Sequence, residues 1–131
     1  MVAIRGEYVS AIKSAETQSS IPSAWRLAFK DVVNAFALRD YQLTSGVAGV
    51  EPVSAQTAAH IRRYIEDYGE PLIELPEQTW DSSVCIWTGT HWDVLIDIWT
   101  ASEGRSDLVL GARVFESDPD YRIQIGMVYV P

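Results

Sequence analysis

The spacing of the apolar residues changes once along this chain, from helical in the first half to alternating in the second half. Apolar residues three and four positions apart mark the buried side of a helix, and strict alternation marks a strand with one buried face. Helices followed by strands are typical of α+β proteins. The pattern therefore predicts an α+β fold in which two to three N-terminal helices pack on one face of a C-terminal four-stranded antiparallel meander.

The strongest helical pattern covers residues 22–39 and places large apolar residues on one stripe. Pro22 suits the first turn, where a backbone N–H has no helical partner, and either Ser20 or Ser23 is expected to supply the cap. The members of the stripe are Trp25, Phe29, Val32, Val33 and Phe36.

Two further helices are predicted, one of them on a weak pattern. Ser54 is a suitable N-cap for a helix that ends at Tyr68, because Gly69 favours left-handed backbone and Pro71 cannot continue a helix. The weaker pattern covers residues 2–18.

Four strands are predicted, over residues 83–88, 91–100, 105–116 and 121–130, and residues 72–75 are expected to add a short edge strand. Because the connections between the four strands are short and rich in turn residues, each strand is expected to pair with its neighbour in sequence.

The hairpin around Gly104 defines two faces of the predicted sheet. Pairing Ile98 with Ser106 and Ile96 with Leu108 keeps one face apolar, and we expect the helices to cover that face. Gly104 then adopts the positive φ of a bulged turn.

The same register gathers charged side chains on the other face, where Asp97 lies directly opposite Asp107. Like charges repel at that distance, so an arginine lies between them, or one carboxyl keeps its proton, or the face binds a cation. The candidate acid and base residues of a pocket on this face are His91, Asp93, Asp97 and Asp107. No metal site is predicted, since their spacing matches no compact ligand motif. A solvated face of mixed charges is the simplest alternative.

Tryptophan and arginine dominate the energetics of many protein interfaces, and several lie near this hairpin. Trp25, Trp87 and Trp92 fall on apolar stripes and are expected in the core. Trp80 and Trp99 do not, and they are therefore predicted to be exposed. The candidate binding residues are Trp80, Trp99, Arg105 and Arg113.

Composition limits the classes of partner. The 131 residues suit one domain over residues 1–131, and a net charge of -8 argues against binding to nucleic acid or an anionic membrane and favours a basic protein. No cofactor is predicted, because the loop containing Gly46 and Gly49 lacks a phosphate-binding motif. Cys85, the only cysteine, is expected to be a buried hydrophobe. No segment is apolar enough for a membrane helix, so a soluble, cytoplasmic protein is expected.

Three stretches resemble a family of small bacterial proteins of unknown function. They are the runs VVNAFALRDY over residues 32–41, YIEDYG over residues 64–69, and WDVLIDIWT over residues 92–100 followed by EGRSDL. The resemblance covers residues 22–131 and implies no catalytic residue. The chain is also loosely similar to the cone-shaped α+β domains of the nuclear-transport-factor type, which implies a curved sheet and no particular reaction.

The sequence favours a non-enzymatic protein-binding domain of an accessory or immunity type, with an acidic surface that attracts a basic protein. The alternative is a small-molecule-binding or enzymatic pocket on the charged face of the sheet. A homodimer that pairs two such faces is the third hypothesis.

Overall fold

A computed structural model describes residues 8–131 and has an α+β fold. Two α-helices, α1 (Ser23–Ala37) and α2 (Ala55–Tyr68), precede most of an antiparallel sheet. Its five strands follow each other in the order β1-β2-β3-β4-β5. Their bounds are β1 (Ser19–Ser20), β2 (Val84–Trp87), β3 (Trp92–Thr100), β4 (Gly104–Ser117) and β5 (Asp120–Tyr129). The sheet has one strand more than the four predicted, because the two residues of β1 pair with β2.

Helix α1 lies within the predicted range and buries the predicted stripe. Its cap differs from the prediction. Pro22 is the N-cap residue, and its side chain has no polar group with which to cap the first turn. The hydroxyl of Ser23 instead accepts from the backbone N–H of Val9 at 2.7 Å. Long-range contact with the N-terminal segment has therefore replaced local capping.

Helix α2 begins and ends where its sequence signals predict. The hydroxyl of Ser54 accepts a hydrogen bond from the backbone N–H of Thr57 at 3.2 Å, and Gly69 adopts φ 80°. A residue with a Cβ is strained at that φ, which is why glycine ends so many helices. Both predictions are confirmed.

The weak helix predicted over residues 2–18 is absent from its described part. Residues 2–7 lie outside the described residues, and Tyr8 to Gln18 have no helical structure. This segment bonds to the rest of the fold: the Val9 carbonyl accepts from the Ser23 N–H at 2.8 Å, and the Ile12 carbonyl accepts from the Trp92 indole at 2.9 Å. These contacts hold the segment against the start of α1 and against Trp92 of β3.

One face of the sheet and both helices form a single core. Alternate residues of β3 are buried, and Ile96 and Leu108 are fully covered, as predicted. Aromatic rings fill the end near α1, where the Trp25 and Trp92 centroids are 5.2 Å apart and Tyr121 contacts both. The prediction that the helices cover the apolar face is confirmed.

The register of β3 and β4 follows the prediction only next to the turn. Trp99 lies opposite Arg105 as predicted, and Gly104 has φ 75°. A bulge follows. The two-residue step from Asp97 to Trp99 on β3 lies opposite the four-residue step from Val109 to Arg105 on β4. Beyond it the pairing is displaced by two residues, so Ile96 lies opposite Leu110 rather than Leu108. Because two is an even number, every side chain stays on its predicted face.

Two loops cover edges of the sheet. The expected strand over residues 72–75 is reduced to one bridge between Leu72 and Thr100, since Pro71 and Pro76 on either side of it lack an N–H to donate. At the opposite edge, the backbone of Gly49 and Glu51 bonds to Ile123 of β5 at 2.8 and 2.9 Å.

Replacing Ser54 by alanine removes the cap of α2 and is expected to lower the free energy of unfolding by about 1 kcal/mol. Urea denaturation measures the change. Ser45→Ala is the matched control, because Ser45 is also exposed and no hydrogen bond of its hydroxyl is found among the described residues. Equal effects of the two substitutions would contradict the assigned cap.

Candidate functional site

The face of the sheet opposite the core carries the charged residues. We call it the outer face, and its side chains form rows that cross the strands. One row contains Ile86, Asp93, Arg113 and Gln124, and the next contains Val84, Leu95, Gly111 and Met127. The alternation of β3 and β4 thus places an ionic row beside an apolar row.

An open groove of about 800 Å³ lies over these two rows. The loop of Glu51 to Ser54 and the first turn of α2 line it beyond β5, and Gln18 lines it beyond β2. Side chains of the outer face form its floor, and Leu95 is 37% exposed there. The floor residues include Val84, Ile86, Asp93, Leu95, Gly111, Arg113, Gln124, Met127 and Tyr129.

Glycine shapes the middle of this floor. Gly111 has no side chain, and a Cβ built on it would lie 3.2 Å from Cγ of Met127. The flexible thioether side chain of Met127 therefore packs directly over the β4 backbone, and it is 44% exposed. A polarisable, unbranched side chain of this kind adapts to ligands of different shape.

Within residues 8–131, three charged residues line the groove, and two of them have partners. Glu51 pairs with Arg122, and Nε2 of His91 lies 3.1 Å from Oδ1 of Asp93. Because an ionised carboxylate only accepts, this contact makes Nε2 the donor, while Nδ1 is 2.9 Å from the Thr90 hydroxyl. Arg113, the third, forms no ion pair with any of residues 8–131.

The four candidate acid and base residues do not come together. Of these four, only Asp93 lines the groove, with His91 beside it. The carboxylate of Asp97 accepts a hydrogen bond from the Ser82 hydroxyl, and Asp107 lies near the other end of the sheet.

The predicted direct contact between Asp97 and Asp107 is wrong. The bulge places Asp97 opposite Val109, and Asp107 is exposed where its backbone N–H donates to the Tyr68 hydroxyl at 3.1 Å. The repulsion inferred from the sequence is therefore relieved by the extra residues of β4. No bound cation is needed to explain it, and no cluster of three metal-ligating side chains occurs within residues 8–131.

The candidate binding residues have different surroundings. The prediction of an exposed Trp80 is wrong: its ring is 4% exposed, stacks under the guanidinium of Arg26 at 5.3 Å and lies in the 3-10 helix Glu77–Asp81. Trp99 is half-buried, and its indole N–H has no hydrogen-bond partner among the described residues. Arg105, which lies opposite Trp99, is exposed. Arg113 belongs to the groove instead.

Cys85 is buried, as predicted, and its side chain lies on the core face. Burial raises the pKa of its thiol above the ordinary value, although a contact with the Ser19 hydroxyl acts in the opposite direction. Less thiolate at neutral pH means a weaker nucleophile, so Cys85 has the properties of a packing residue.

Sequence reasoning missed the walls of the groove. The loop of Glu51 to Ser54 reaches the outer face because its backbone bonds to β5, a contact between residues some seventy positions apart that leaves no local signal. Gly111 was a usable signal, since a glycine inside an apolar strand often marks a close approach of another group.

A family model described as Domain of unknown function (DUF7668) matches residues 33–131. No curated protein and no solved structure matches the chain. The likeness to cone-shaped domains thus stays a prediction. Within residues 8–131, no helix is long and apolar enough to cross a membrane.

The hydrogen bond from Ser82 distinguishes Asp97 from Asp107 in a stability measurement. Asp97→Ala is expected to lower the free energy of unfolding by about 1.5 kcal/mol, because the bond involves a charged acceptor. Asp107→Ala, the control, is expected to change it by less than about 0.5 kcal/mol, as for other exposed side chains. A more stable Asp97→Ala protein would instead support the repulsion inferred from the sequence.

Proposed function

The chain belongs to this family of unknown function, and we propose that it is a non-enzymatic binding domain whose groove takes up a small organic ligand with an apolar body. The groove on the outer face is the observation that supports this function. Its volume of about 800 Å³ lies within the range of roughly 300–1,000 Å³ that is typical of sites for small molecules.

The lining of the groove also has the composition of a ligand site. Such sites combine apolar walls with a small number of polar groups that fix the orientation of the ligand. Here Val84, Ile86, Leu95 and Met127 supply apolar surface, and Arg113 supplies a charged group next to it.

Binding without catalysis fits the distribution of the acid and base residues. General acid-base catalysis needs groups within hydrogen-bond reach of the same reacting atoms. Asp97 and Asp107 lie outside the groove. His91 and Asp93 form a hydrogen bond with each other, and His91 also contacts the Thr90 hydroxyl. The residues predicted as a catalytic set are therefore better explained as separate surface contacts.

Binding of the neutral fluorophore N-phenylnaphthylamine tests this function. We expect its fluorescence to rise on addition of the protein and expect Leu95→Asn to weaken its affinity about tenfold, since the substitution removes apolar contact area at the centre of the groove. Leu27→Asn is the matched control, because Leu27 is 68% exposed on α1, away from the groove. An affinity that responds equally to both substitutions, or no binding at all, would overturn the proposed function.

A protein partner is the second candidate function, and the pairing of Trp99 with Arg105 favours it. Both residue types are common at the centres of interfaces, and Arg105 is exposed beside a half-buried indole. The net charge of -8 would accelerate association with a basic protein.

Affinity purification at low and high salt, followed by mass spectrometry, tests this second function. A partner of this surface is expected to bind the wild-type protein and the Arg113→Gln protein, and to be lost with Arg105→Glu. If a retained protein binds the Arg105→Glu protein as well as the wild type, the surface around Trp99 and Arg105 is not its binding site.

A further inference from the structure

We infer that the ligand of the groove carries one negatively charged oxyanion on its apolar body and that the guanidinium of Arg113 binds this anion. The inference rests on the proposed function, because it assigns the chemistry of the same ligand. It depends on the partners of the charged residues in the groove, on the geometry around Arg113 and on the apolar surface next to it.

Arg113 is the only cation among the described residues that line the groove. Glu51 is paired with Arg122, and the carboxylate of Asp93 accepts a hydrogen bond from His91. Arg113 has no acidic partner within residues 8–131. Its guanidinium is therefore the charged group of the groove that can bind a ligand anion.

Arg113 lies opposite an acidic residue, so the absence of an ion pair between the two side chains is informative. Asp93 lies directly opposite Arg113 in the ladder, where the Cβ atoms of paired residues are about 4.5–5.5 Å apart. Such a pair can easily form a salt bridge, yet the carboxylate of Asp93 contacts His91 instead. The guanidinium therefore keeps its five N–H donors for another acceptor, and its planar fork suits two oxygens of one oxyanion.

The apolar row next to Arg113 indicates the rest of the ligand. Gly111 precedes Arg113 by two residues on the same face, and Met127 and Leu95 flank that glycine. A ligand that places its anion on Arg113 would lay its body over Met127 and Leu95. An apolar body attached to one oxyanion is the chemistry that matches both rows.

The overall charge argues against larger anions. Each phosphate of a nucleic acid would meet the field of a chain with net charge -8, and a polyanion cannot bring only one of its charges near Arg113. A small monoanion gains one charge-assisted contact together with burial of its apolar body. The structure thus selects a singly charged amphiphilic molecule.

Two probes with the same aromatic body separate this inference from the proposed function. Anilinonaphthalene sulfonate carries one sulfonate, and N-phenylnaphthylamine is its neutral counterpart. We expect the wild-type protein to bind the sulfonate about tenfold more tightly than the neutral probe, and we expect Arg113→Gln to abolish this preference by weakening the affinity for the sulfonate far more than the affinity for the neutral probe.

Arg105→Gln is the matched control, because Arg105 is also exposed and unpaired among the described residues but does not line the groove. It is expected to retain the preference of the wild-type protein. If the neutral probe binds and Arg113→Gln leaves the affinity for the sulfonate unchanged, or if the wild-type protein shows no preference, the role of Arg113 is refuted and the groove remains a binding site. If neither probe binds, both the proposed function and this inference are wrong. Far-UV circular dichroism and the urea midpoint of each variant verify that it is folded.

Discussion

The pairing of β3 with β4 is the constraint on which the core and the groove both depend. Side chains alternate along these strands, so one set of residues packs against the helices and the intervening set forms the outer face. Fully buried residues such as Ile96 and Leu110 fix the orientation of the hairpin, because turning it over would expose them to water. The positions of Asp93 and Arg113 in the groove therefore follow from hydrophobic burial on the opposite side of the sheet.

Features that depend on neighbours in sequence could be predicted well. The cap at Ser54, the left-handed Gly69 and the buried stripe of α1 each involve residues within about three helical turns of one another. The strands β2 to β5 also lie close to their predicted bounds, since alternation is a local pattern. The expectation of a family of unknown function is likewise confirmed over residues 33–131, whereas the bacterial origin of that family stays a prediction.

Features that depend on distant contacts could not be predicted. Trp80 is buried in the hydrophobic core and also contacts Arg26 of α1. The bulge near Asp97 coincides with contacts from Ser82 and Thr79 of the preceding segment. Polar contacts of this kind leave no periodicity in the sequence. The face of each candidate residue was thus predictable, whereas its neighbours on that face were not.

The covered edges of the sheet have a consequence for the protein in concentrated solution. A strand with unpaired backbone groups along its side is a template for another chain and promotes aggregation. Here the bridge at Leu72 occupies part of the β3 edge, the backbone around Val50 occupies part of the β5 edge, and β1 is only two residues long. Within residues 8–131, these contacts shorten the continuous edge that is left for intermolecular strand pairing, so the sheet can leave its outer face open to solvent with a reduced tendency to form fibrils.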